Sequence, residues 1–484
     1  MVTGYVEAVN PAVARGRTCG ALSNPTRIVT LAPRLFLASC RFMTRHPIGP
    51  SALPVMTTRR TMLGASAASA AGFFVGTRTL DAETVQPAKP LPPAIRVLTS
   101  MKKQATPISV DERRARLEKA RSLMTANNID ALLLTGGTSM EYFTGIHWGL
   151  SERLLAAVIP VKGSAFLVTP KFEEARAMEQ AHLGPLGKDA DVYAWEEHES
   201  PYALIAQGFK SRGLATATIG AEETVRFQFS DGAAHLPNVK VVSGTPITAG
   251  CRMVKDAHEI ALMRLASQIT LKAYEAAWKS LKEGMTQDDF AQLVQLAHKQ
   301  LGFDGSAGVQ VGKYSALPHG SATPQVVREG SILLIDGGCK VEGYSSDLSR
   351  TFVLGKPTQR MKDVFEIEHR AQSMAMKTAR PGLPCEAVDA AARKVIVDAG
   401  FGPDYKYFSH RVGHGMGMDG HEWPYLVRGN TLPMQPGMVF SDEPGIYIPG
   451  EFGIRLEDDM LITENGAELF TPQSPSLEHP FATA

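Results

Sequence analysis

The sequence predicts an α/β protein of two domains, in which an N-terminal α/β domain precedes an α+β domain. Its 484 residues exceed what one hydrophobic core usually organises. Helical and strand-like segments alternate over residues 111–246. Over residues 252–475, a long helix opened by the capping box of Asp256 and Glu259 is followed by two hairpin patterns. This order of elements is typical of an α/β domain followed by an α+β domain.

The first domain is predicted from its opening helix and the strands that follow it. Apolar residues recur at helical spacing across Asp111–Asn128. Short apolar runs at Ala131–Thr135, Leu154–Ile159 and Ala165–Thr169 then indicate strands. We expect ordered structure to begin with the opening helix. No grouping of catalytic residue types stands out in this domain.

The segment ahead of this domain is predicted to be an export signal. Arg59 and Arg60 precede a short, weakly apolar stretch at residues 62–75, which is the pattern of a twin-arginine signal. A chance arginine pair before an Ala-rich helix is the alternative, and the stretch is too short for a stable membrane span. We therefore expect a periplasmic or secreted protein, with a non-structural upstream segment, a signal and a linker at residues 1–55, 56–82 and 83–110.

The composition limits the partners of the protein. Hydrophobic residues make up 44% and charged residues 20%, as in ordinary soluble globular proteins. The net charge is +1 and no long basic run occurs, so nucleic acid is not an expected partner. The five cysteines are widely separated, which argues against a disulfide framework and against a thiolate zinc site.

The first acid-bearing hairpin pairs Ser331–Cys339 with Tyr344–Gly355. If its turn is centred between residues 341 and 342, Asp336 lies directly opposite Asp347. Opposed Cβ atoms are roughly 4.5–5.5 Å apart, and like charges at that distance destabilise a sheet. The apolar neighbours indicate an interior hairpin, where unpaired carboxylates are costly. We therefore expect a cation between the two acids; two exposed acids in a surface hairpin are the alternative.

The second acid-bearing hairpin pairs Met438–Ile448 with Gly453–Thr463. If its turn is centred on Gly450, Glu443 lies directly opposite Glu457. The chain therefore carries two opposed acid pairs in two separate hairpins. This repetition weakens the interpretation of the first pair as a surface feature.

A Gly-rich segment between the hairpins carries His410, His414 and His421. Glycines beside His414 would allow the backbone to approach a bound group closely. Four carboxylates carry four negative charges, which two divalent cations neutralise. Oxygen-rich ligation with one imidazole favours manganese, with cobalt or zinc as alternatives. Two such metals share a bridging hydroxide and lower its pKa for attack on a carbonyl, so the residues predict hydrolysis.

The motifs IDGGCKVEGYSSDLSRT, HRVGHGMGMDGHEWP, SDEPGIYI and GIRLEDD, in this order, resemble those of the creatinase/prolidase/methionine-aminopeptidase family of "pita-bread" metallopeptidases. The resemblance extends over residues 111–475. It implies a creatinase-like N-terminal domain at 111–246 and a pita-bread catalytic domain at 252–475. It also implies that Glu443 is catalytic and that five residues bind the two metals: Asp336, Asp347, His414, Glu443 and Glu457.

The resemblance implies roles for further residues near the metals. His421 would be a catalytic residue that stabilises the tetrahedral intermediate. His319 would be catalytic and would contact the residues that flank the scissile bond. His410 would shape the wall of the substrate pocket, and Arg455 would support the site or bind the substrate carboxylate. Ser349 stands where many members of the family have threonine, and we expect this difference to matter little.

Several activities occur in this family. An export signal disfavours a methionine aminopeptidase, and the intact ligand set disfavours a creatinase-like amidinohydrolase or a non-catalytic binding module. The bond before proline is a tertiary amide without an N–H, so its hydrolysis needs a pocket fitted to the proline ring. We therefore predict an exported Xaa-Pro peptidase of the prolidase or aminopeptidase P type. It would act on proline-containing dipeptides or short peptides, as a homodimer.

Overall fold

The computed structural model describes residues 90–481, so the predicted upstream segment and twin-arginine signal lie outside the described residues. Among the helices of that range, none combines the length and apolar character needed to cross a membrane. Regular structure is present ahead of the predicted opening helix, in helix α1 at Pro93–Arg96. Its Ile95 is fully buried, and the Met101 amide donates to the Leu301 carbonyl at 2.8 Å. The prediction was wrong here because prolines near residue 90 indicated a linker, whereas the apolar residues after them pack on the second domain.

The first domain is a mixed six-stranded sheet with helices packed against it. Its strands lie in the order β4-β3-β2-β1-β5-β6, and β2 runs antiparallel to both of its neighbours. The strand predicted at residues 131–135 has those bounds, and the next two strands lie within two residues of the predicted ones. The elements are α2 (Val110–Ala126), β1 (Ala131–Thr135), α3 (Thr138–Thr144), β2 (Ala156–Pro160), β3 (Phe166–Pro170), α4 (Glu174–Leu183), β4 (Asp191–Trp195), α5 (Pro201–Lys210), β5 (Ala217–Ala221), α6 (Phe227–Ala234), β6 (Val239–Ser243) and α7 (Thr245–Arg252).

The second domain combines antiparallel sheets with long helices. One sheet has the order β10-β8-β7, with β9 paired to β8; another has the order β12-β11-β13-β16-β17; and β14 pairs with β15. The elements are α8 (Ala257–Trp278), α9 (Gln287–Leu301), β7 (Gly305–Val311), β8 (Ile332–Val341), β9 (Tyr344–Ser345), β10 (Leu348–Val353), α10 (Gln359–Thr378), α11 (Glu386–Asp398), β11 (Gly413–Gly415), β12 (Glu422–Leu426), β13 (Val439–Asp442), β14 (Gly445–Ile448), β15 (Phe452–Arg455), β16 (Asp458–Ile462) and β17 (Ala467–Leu469). The predicted capping box opens α8, because Asp256 and Glu259 exchange side chain–backbone hydrogen bonds.

The first hairpin differs from its predicted register. Asp336 lies opposite Ser349, not opposite Asp347, and β10 begins one residue after Asp347. The turn is formed by Glu342 and Gly343, both with positive φ (48° and 86°), which is the conformation of a two-residue type I′ turn. The predicted turn centre was therefore one residue too early. Moving the centre by one residue moves each partner by two, so the side chains keep their face of the sheet.

The second hairpin has the predicted register. Asp442 pairs with Asp458, and Gly445 pairs with Arg455, on either side of the predicted Glu443–Glu457 pair. The turn is centred on Gly450, as the sequence indicated. Side chains of Glu443 and Glu457 therefore come from facing positions of one hairpin.

A buried polar network joins the two domains at the tip of the first hairpin. The Tyr344 hydroxyl accepts from Arg116 Nη2 and donates to Glu259 Oε1, both at 2.7 Å. Arg116 belongs to α2 of the first domain, whereas Glu259 belongs to α8. Burial and the nearby Glu259 carboxylate raise the pKa of Tyr344, so its hydroxyl stays protonated as the donor. The hairpin is thus anchored by both domains.

Candidate metal centre

The structure brings all five predicted metal ligands together, because their donor atoms form overlapping groups whose members lie within 4.8 Å of one another. One group joins Asp336, Asp347 and Glu457, and another joins His414, Glu443 and Glu457. Within them, His414 Nε2 lies 3.2 Å from Glu443 Oε1 and 3.9 Å from Asp347 Oδ2. Both hairpins and strand β11 therefore converge on one cluster.

His414 is held with its Nε2 atom towards the carboxylates. Its Nδ1 atom lies 3.2 Å from the Gly415 carbonyl, to which Nδ1–H donates, so Nε2 is the ring atom that faces the carboxylates and would bind a metal once it has lost its proton. The glycines beside it serve strand packing: a Cβ on Gly415 would lie 2.5 Å from the Glu422 carbonyl. A Cβ on Gly413 would lie 2.0 Å from the Ser441 carbonyl. The close approach that we expected towards a bound group is instead an approach between strands.

The electrostatics of the carboxylates fit divalent cations. Burial, together with the nearby Asp336 carboxylate, holds the pKa of Asp347 well above its usual range. Burial and Asp347 do the same to the pKa of Glu457. Burial also raises the pKa of Glu443, but its hydrogen bond to His414 and the charge there outweigh burial, and the pKa falls to about 2. Crowded carboxylates of this kind need cationic charge to ionise together, and oxygen donors with one imidazole suit manganese, cobalt or zinc.

Arg455 and Ser349 bond to the carboxylates on one side of the cluster. Arg455 Nη2 lies 2.6 Å from Asp336 Oδ2, and its Nε donates to Ser349 Oγ at 2.9 Å. The Ser349 hydroxyl lies 2.7 Å from Glu457 Oε2 and 3.1 Å from Asp336 Oδ1, so its single proton serves one of them at a time. Ser349 therefore matters more to the site than we expected from the sequence.

The remaining donors of Arg455 are largely occupied by the protein. Nη1 donates to the Pro318 carbonyl at 3.2 Å and to the Tyr447 hydroxyl at 3.0 Å. With the bonds to Ser349 and Asp336, four of its five N–H groups have partners. Of the two predicted roles for Arg455, this geometry favours support of the site.

His410 and His319 lie on the same side of the site as Arg455. His410 Nε2 is 2.7 Å from the Tyr447 hydroxyl, and its Nδ1 is 4.0 Å from Glu443 Oε2. Burial lowers the pKa of His410; the Glu443 carboxylate opposes this effect, and the Arg455 guanidinium adds to it. His319 itself is exposed, in the loop after a short 3-10 helix at Gly312–Ala316. Both histidines therefore lie beside the carboxylates. Neither belongs to a candidate metal group found among the described residues.

His421 stacks on the predicted ligand His414. The two ring centroids are 3.6 Å apart and the ring planes differ by 17°. Arg411 Nη2 lies 3.2 Å from His421 Nδ1. Because a guanidinium can only donate, Nδ1 accepts and a neutral His421 carries its proton on Nε2. Burial and the neighbouring His414 lower the pKa of His421 to about 4, so the ring is neutral near pH 7.

Sequence reasoning missed several residues that position this site. Ser441 accepts from the His414 amide at 3.0 Å and lies 3.1 Å from Glu443 Oε1. Asp459 accepts from the Asp347 amide at 3.3 Å. Ser441 gave no signal in the sequence, whereas Asp459 stands in the same acidic run as the predicted ligand at the end of the second hairpin.

A cluster of four carboxylates and one imidazole, all buried or partly buried on an α+β domain, is typical of a metal-dependent hydrolase. The description "Metallopeptidase family M24" matches residues 261–464, and "Creatinase/Prolidase N-terminal domain" matches residues 116–254. The Xaa-Pro dipeptidase of Lactobacillus delbrueckii subsp. lactis is 33% identical over 382 residues, which cover 75% of this chain and 98% of that protein. The chain therefore belongs to metallopeptidase family M24. This confirms the family, the fold class and the metallopeptidase activity predicted from the motifs.

Solved structures agree with this assignment. Dipeptidase PepE from Mycobacterium ulcerans superposes with a TM-score of 0.72 at 32% identity, covering 77% of this chain and 99% of that one. A recombinant prolidase from Thermococcus sibiricus superposes with a TM-score of 0.67 at 30% identity, covering 74% and 96% of the two chains. Both similarities span the first domain as well as the catalytic one.

Proposed function

We propose that this protein is an Xaa-Pro dipeptidase whose five ligands hold two divalent cations, with manganese favoured over cobalt and zinc. The observation that carries the proposal is the convergence of the four carboxylates and His414 within one cluster. A relative that shares a third of its residues is named Xaa-Pro dipeptidase, and a structural neighbour is named prolidase, which supports the substrate class. Divalent cations bound there would lower the pKa of water and polarise the scissile carbonyl.

The residues around the ligands have distinct tasks in this proposal. His319 and His410 would face the proline residue and its carboxylate, because the donors of Arg455 are mostly committed to the protein. Neutral His421 would donate from Nε2–H to the oxygen that becomes negative during attack on the carbonyl. Glu443 would accept a proton from the attacking water, since bound cations would keep its carboxylate ionised.

The metal content and the substrate class are tested together. We expect close to two Mn, Co or Zn per chain by elemental analysis, and hydrolysis of Gly-Pro in preference to Gly-Pro-Pro. Asp347→Asn should lose metal and activity, whereas Glu464→Gln, an exposed acid after β16, should keep both. A fully active wild-type enzyme without bound metal would overturn the proposal. Equal rates on both peptides would instead favour an aminopeptidase P.

The role of His421 is tested by measuring kcat and KM separately in variants of this residue and its neighbour. Losing one oxyanion donor lowers kcat by about 10²–10³ elsewhere, and His421→Ala should show a comparable loss with metal content unchanged. Arg411→Met should lower kcat less, because it frees the His421 ring to adopt the other tautomer. Loss of metal from His421→Ala would make this ring a support for His414. Unchanged kcat would remove it from catalysis.

We also propose that the protein is exported through the twin-arginine route. The support is the Arg59-Arg60 pair and the weakly apolar stretch after it, and folding before export would let the enzyme load its metals inside the cell. Export is measured by fractionating cells that make the wild type or the Arg59→Lys/Arg60→Lys variant. Retention of the variant in the cytoplasm with export of the wild type is expected. Identical distributions would refute the export signal.

A homodimer is the third part of the proposal. Leu150, Phe172 and Phe227 are large apolar side chains with exposures of 66%, 65% and 80%. They adjoin one loop, because Arg226 donates to the Ser151 carbonyl and Arg153 lies over the Phe172 ring. Exposed apolar side chains grouped in this way are typical of protein interfaces. Light scattering should give twice the monomer mass, and Phe227→Ser should shift it towards the monomer; a monomeric wild type would exclude this assembly.

A further inference from the structure

A cavity of about 390 Å³ lies beside His421, where the first domain meets the catalytic domain. The first domain contributes residues 136–139 at the start of α3, residues 222–224 and part of α7, and the catalytic domain contributes residues 419–423 apart from Gly420. His421 also approaches Asp347 and His414, so the cavity and the metal centre share a wall. A peptide held at the metals would have part of its length in this cavity.

Two of the acids in the cavity wall are already neutralised. Arg252 Nη2 lies 2.6 Å from Asp419 Oδ2 and also bonds Glu422. Lys255 Nζ lies 2.7 Å from the other oxygen of Glu422. Two cations therefore balance these two carboxylates.

The other two acids, Glu222 and Glu223, bond to neutral groups. Buried Glu222 bonds the hydroxyls of Ser139 and Thr224; burial raises its pKa, and these bonds and the nearby Arg252 charge oppose the rise. Exposed Glu223 accepts from the indole Nε1–H of Trp423, with both oxygens at 3.2 Å. Trp423 is itself 38% exposed. A carboxylate beside an accessible indole ring is a favourable place for a cation, which gains both Coulomb and cation–π attraction.

The cavity lies on the side of the metal centre where the residue before proline would bind. His410, Tyr447 and Arg455 are bonded to one another away from this cavity, on the side that we assign to proline. His421 then faces the residue before proline. The volume is roughly ten times the 30 Å³ that one water molecule occupies, so it exceeds the need of an α-ammonium group alone.

We propose that this cavity binds the cationic side chain of the residue before proline, with Glu223 and Trp423 as its contacts, so that Lys-Pro and Arg-Pro are preferred substrates. The inference rests on the proposed Xaa-Pro dipeptidase function. It adds the class of the first residue, which that function leaves open.

The test compares kcat/KM for lysyl-proline with that for norleucyl-proline, which has a neutral side chain of similar length. In the wild type the ratio should be about tenfold, the effect of one charge-assisted hydrogen bond. Glu223→Gln should bring the ratio close to one. Glu179→Gln, which removes an exposed acid on α4 that does not line the cavity, should keep the wild-type ratio.

Two results would overturn the inference while leaving the proposed function intact. One is a wild type that hydrolyses both dipeptides equally well. The other is a Glu223→Gln variant that keeps the wild-type ratio of kcat/KM values. This includes the case in which both values fall by the same factor, which would show that Glu223 binds the α-ammonium group of every substrate. Hydrolysis of neither dipeptide by a metal-loaded wild type would instead overturn the proposed function, and this inference with it.

Discussion

Replacing Arg455 with methionine tests whether this side chain supports the metal centre or binds substrate. The guanidinium is 2% exposed and lies 2.6 Å from Asp336, and it also donates to Ser349, Tyr447 and the Pro318 carbonyl. Methionine has a similar length and no charge. The change therefore removes the cation that is closest to the carboxylate cluster while keeping most of the packing.

The expected loss follows from the burial of the two partners. Removing one partner of a buried ion pair costs about 3–5 kcal/mol. The Asp336 side chain is 32% exposed, so water screens part of its charge and the lower figure, about 3 kcal/mol, applies. The free energy of unfolding of the metal-free Arg455→Met protein should fall by this amount. Saturating Mn²⁺ supplies positive charge to the same carboxylates, and the difference should shrink in its presence.

Urea unfolding in EDTA and in excess Mn²⁺ measures this difference, and kinetics on an Xaa-Pro dipeptide accompany it. Arg455→Lys serves as the control, because it keeps the charge and should recover part of the metal-free stability. A metal-free Arg455→Met protein within about 1 kcal/mol of wild type, with raised KM and unchanged kcat, would refute the reasoning. That result would show that the guanidinium binds the substrate carboxylate.

Three further predictions concern residues around the centre and the domain interface. Ser349→Ala should weaken Mn²⁺ binding about tenfold or more by calorimetry, since its hydroxyl contacts two ligand carboxylates, and equal affinity would contradict this. Tyr344→Phe should lower the free energy of unfolding by about 1–3 kcal/mol, because its buried hydroxyl bonds both domains; an unchanged urea midpoint would count against the network. Burial raises the pKa of Glu112, but bonds with Ser109 and His258 outweigh it and lower the pKa from 4.5 to about 2. The ionised Glu112 carboxylate therefore stabilises the fold fully above pH 4.5, and this stabilisation is lost as the pH falls towards 2. The difference in urea midpoint between Glu112→Gln and wild type should vanish over the same pH range. A difference that stays constant with pH would disprove the linkage.

The ligand positions were predictable because strand geometry is local. Side chains alternate between the two faces of a strand, so the acids of each hairpin could be placed on a face from the sequence alone. The turn centred on Gly450 was identified correctly, and the pairs on either side of Glu443 and Glu457 followed. The first turn was displaced by one residue, yet Asp336 and Asp347 still meet in one group because the displacement preserves the face.

The contacts of the supporting residues were not predictable, because the partners come from distant parts of the chain. The resemblance singled out both Ser349 and Arg455, but only the packing of β15 against β10 brings the two side chains together. The Tyr447 hydroxyl likewise becomes a partner of His410 through the fold, over a separation of 37 residues. The early helix at residues 93–96 was missed for a related reason, since local prolines indicated a linker while the burial of Ile95 depends on the second domain.

The first domain contributes to the active site through Arg252, although it supplies none of the predicted ligands. Arg252 ends α7, and its guanidinium bonds Asp419 and Glu422, the acids on either side of His421 in the chain. The group that we assign to the oxyanion is thus held in a segment whose ends are tied to the neighbouring domain. His414, by contrast, is held by Ser441 within the catalytic domain. All five predicted ligands therefore come from the catalytic domain, whereas the placement of His421 depends also on how the two domains pack.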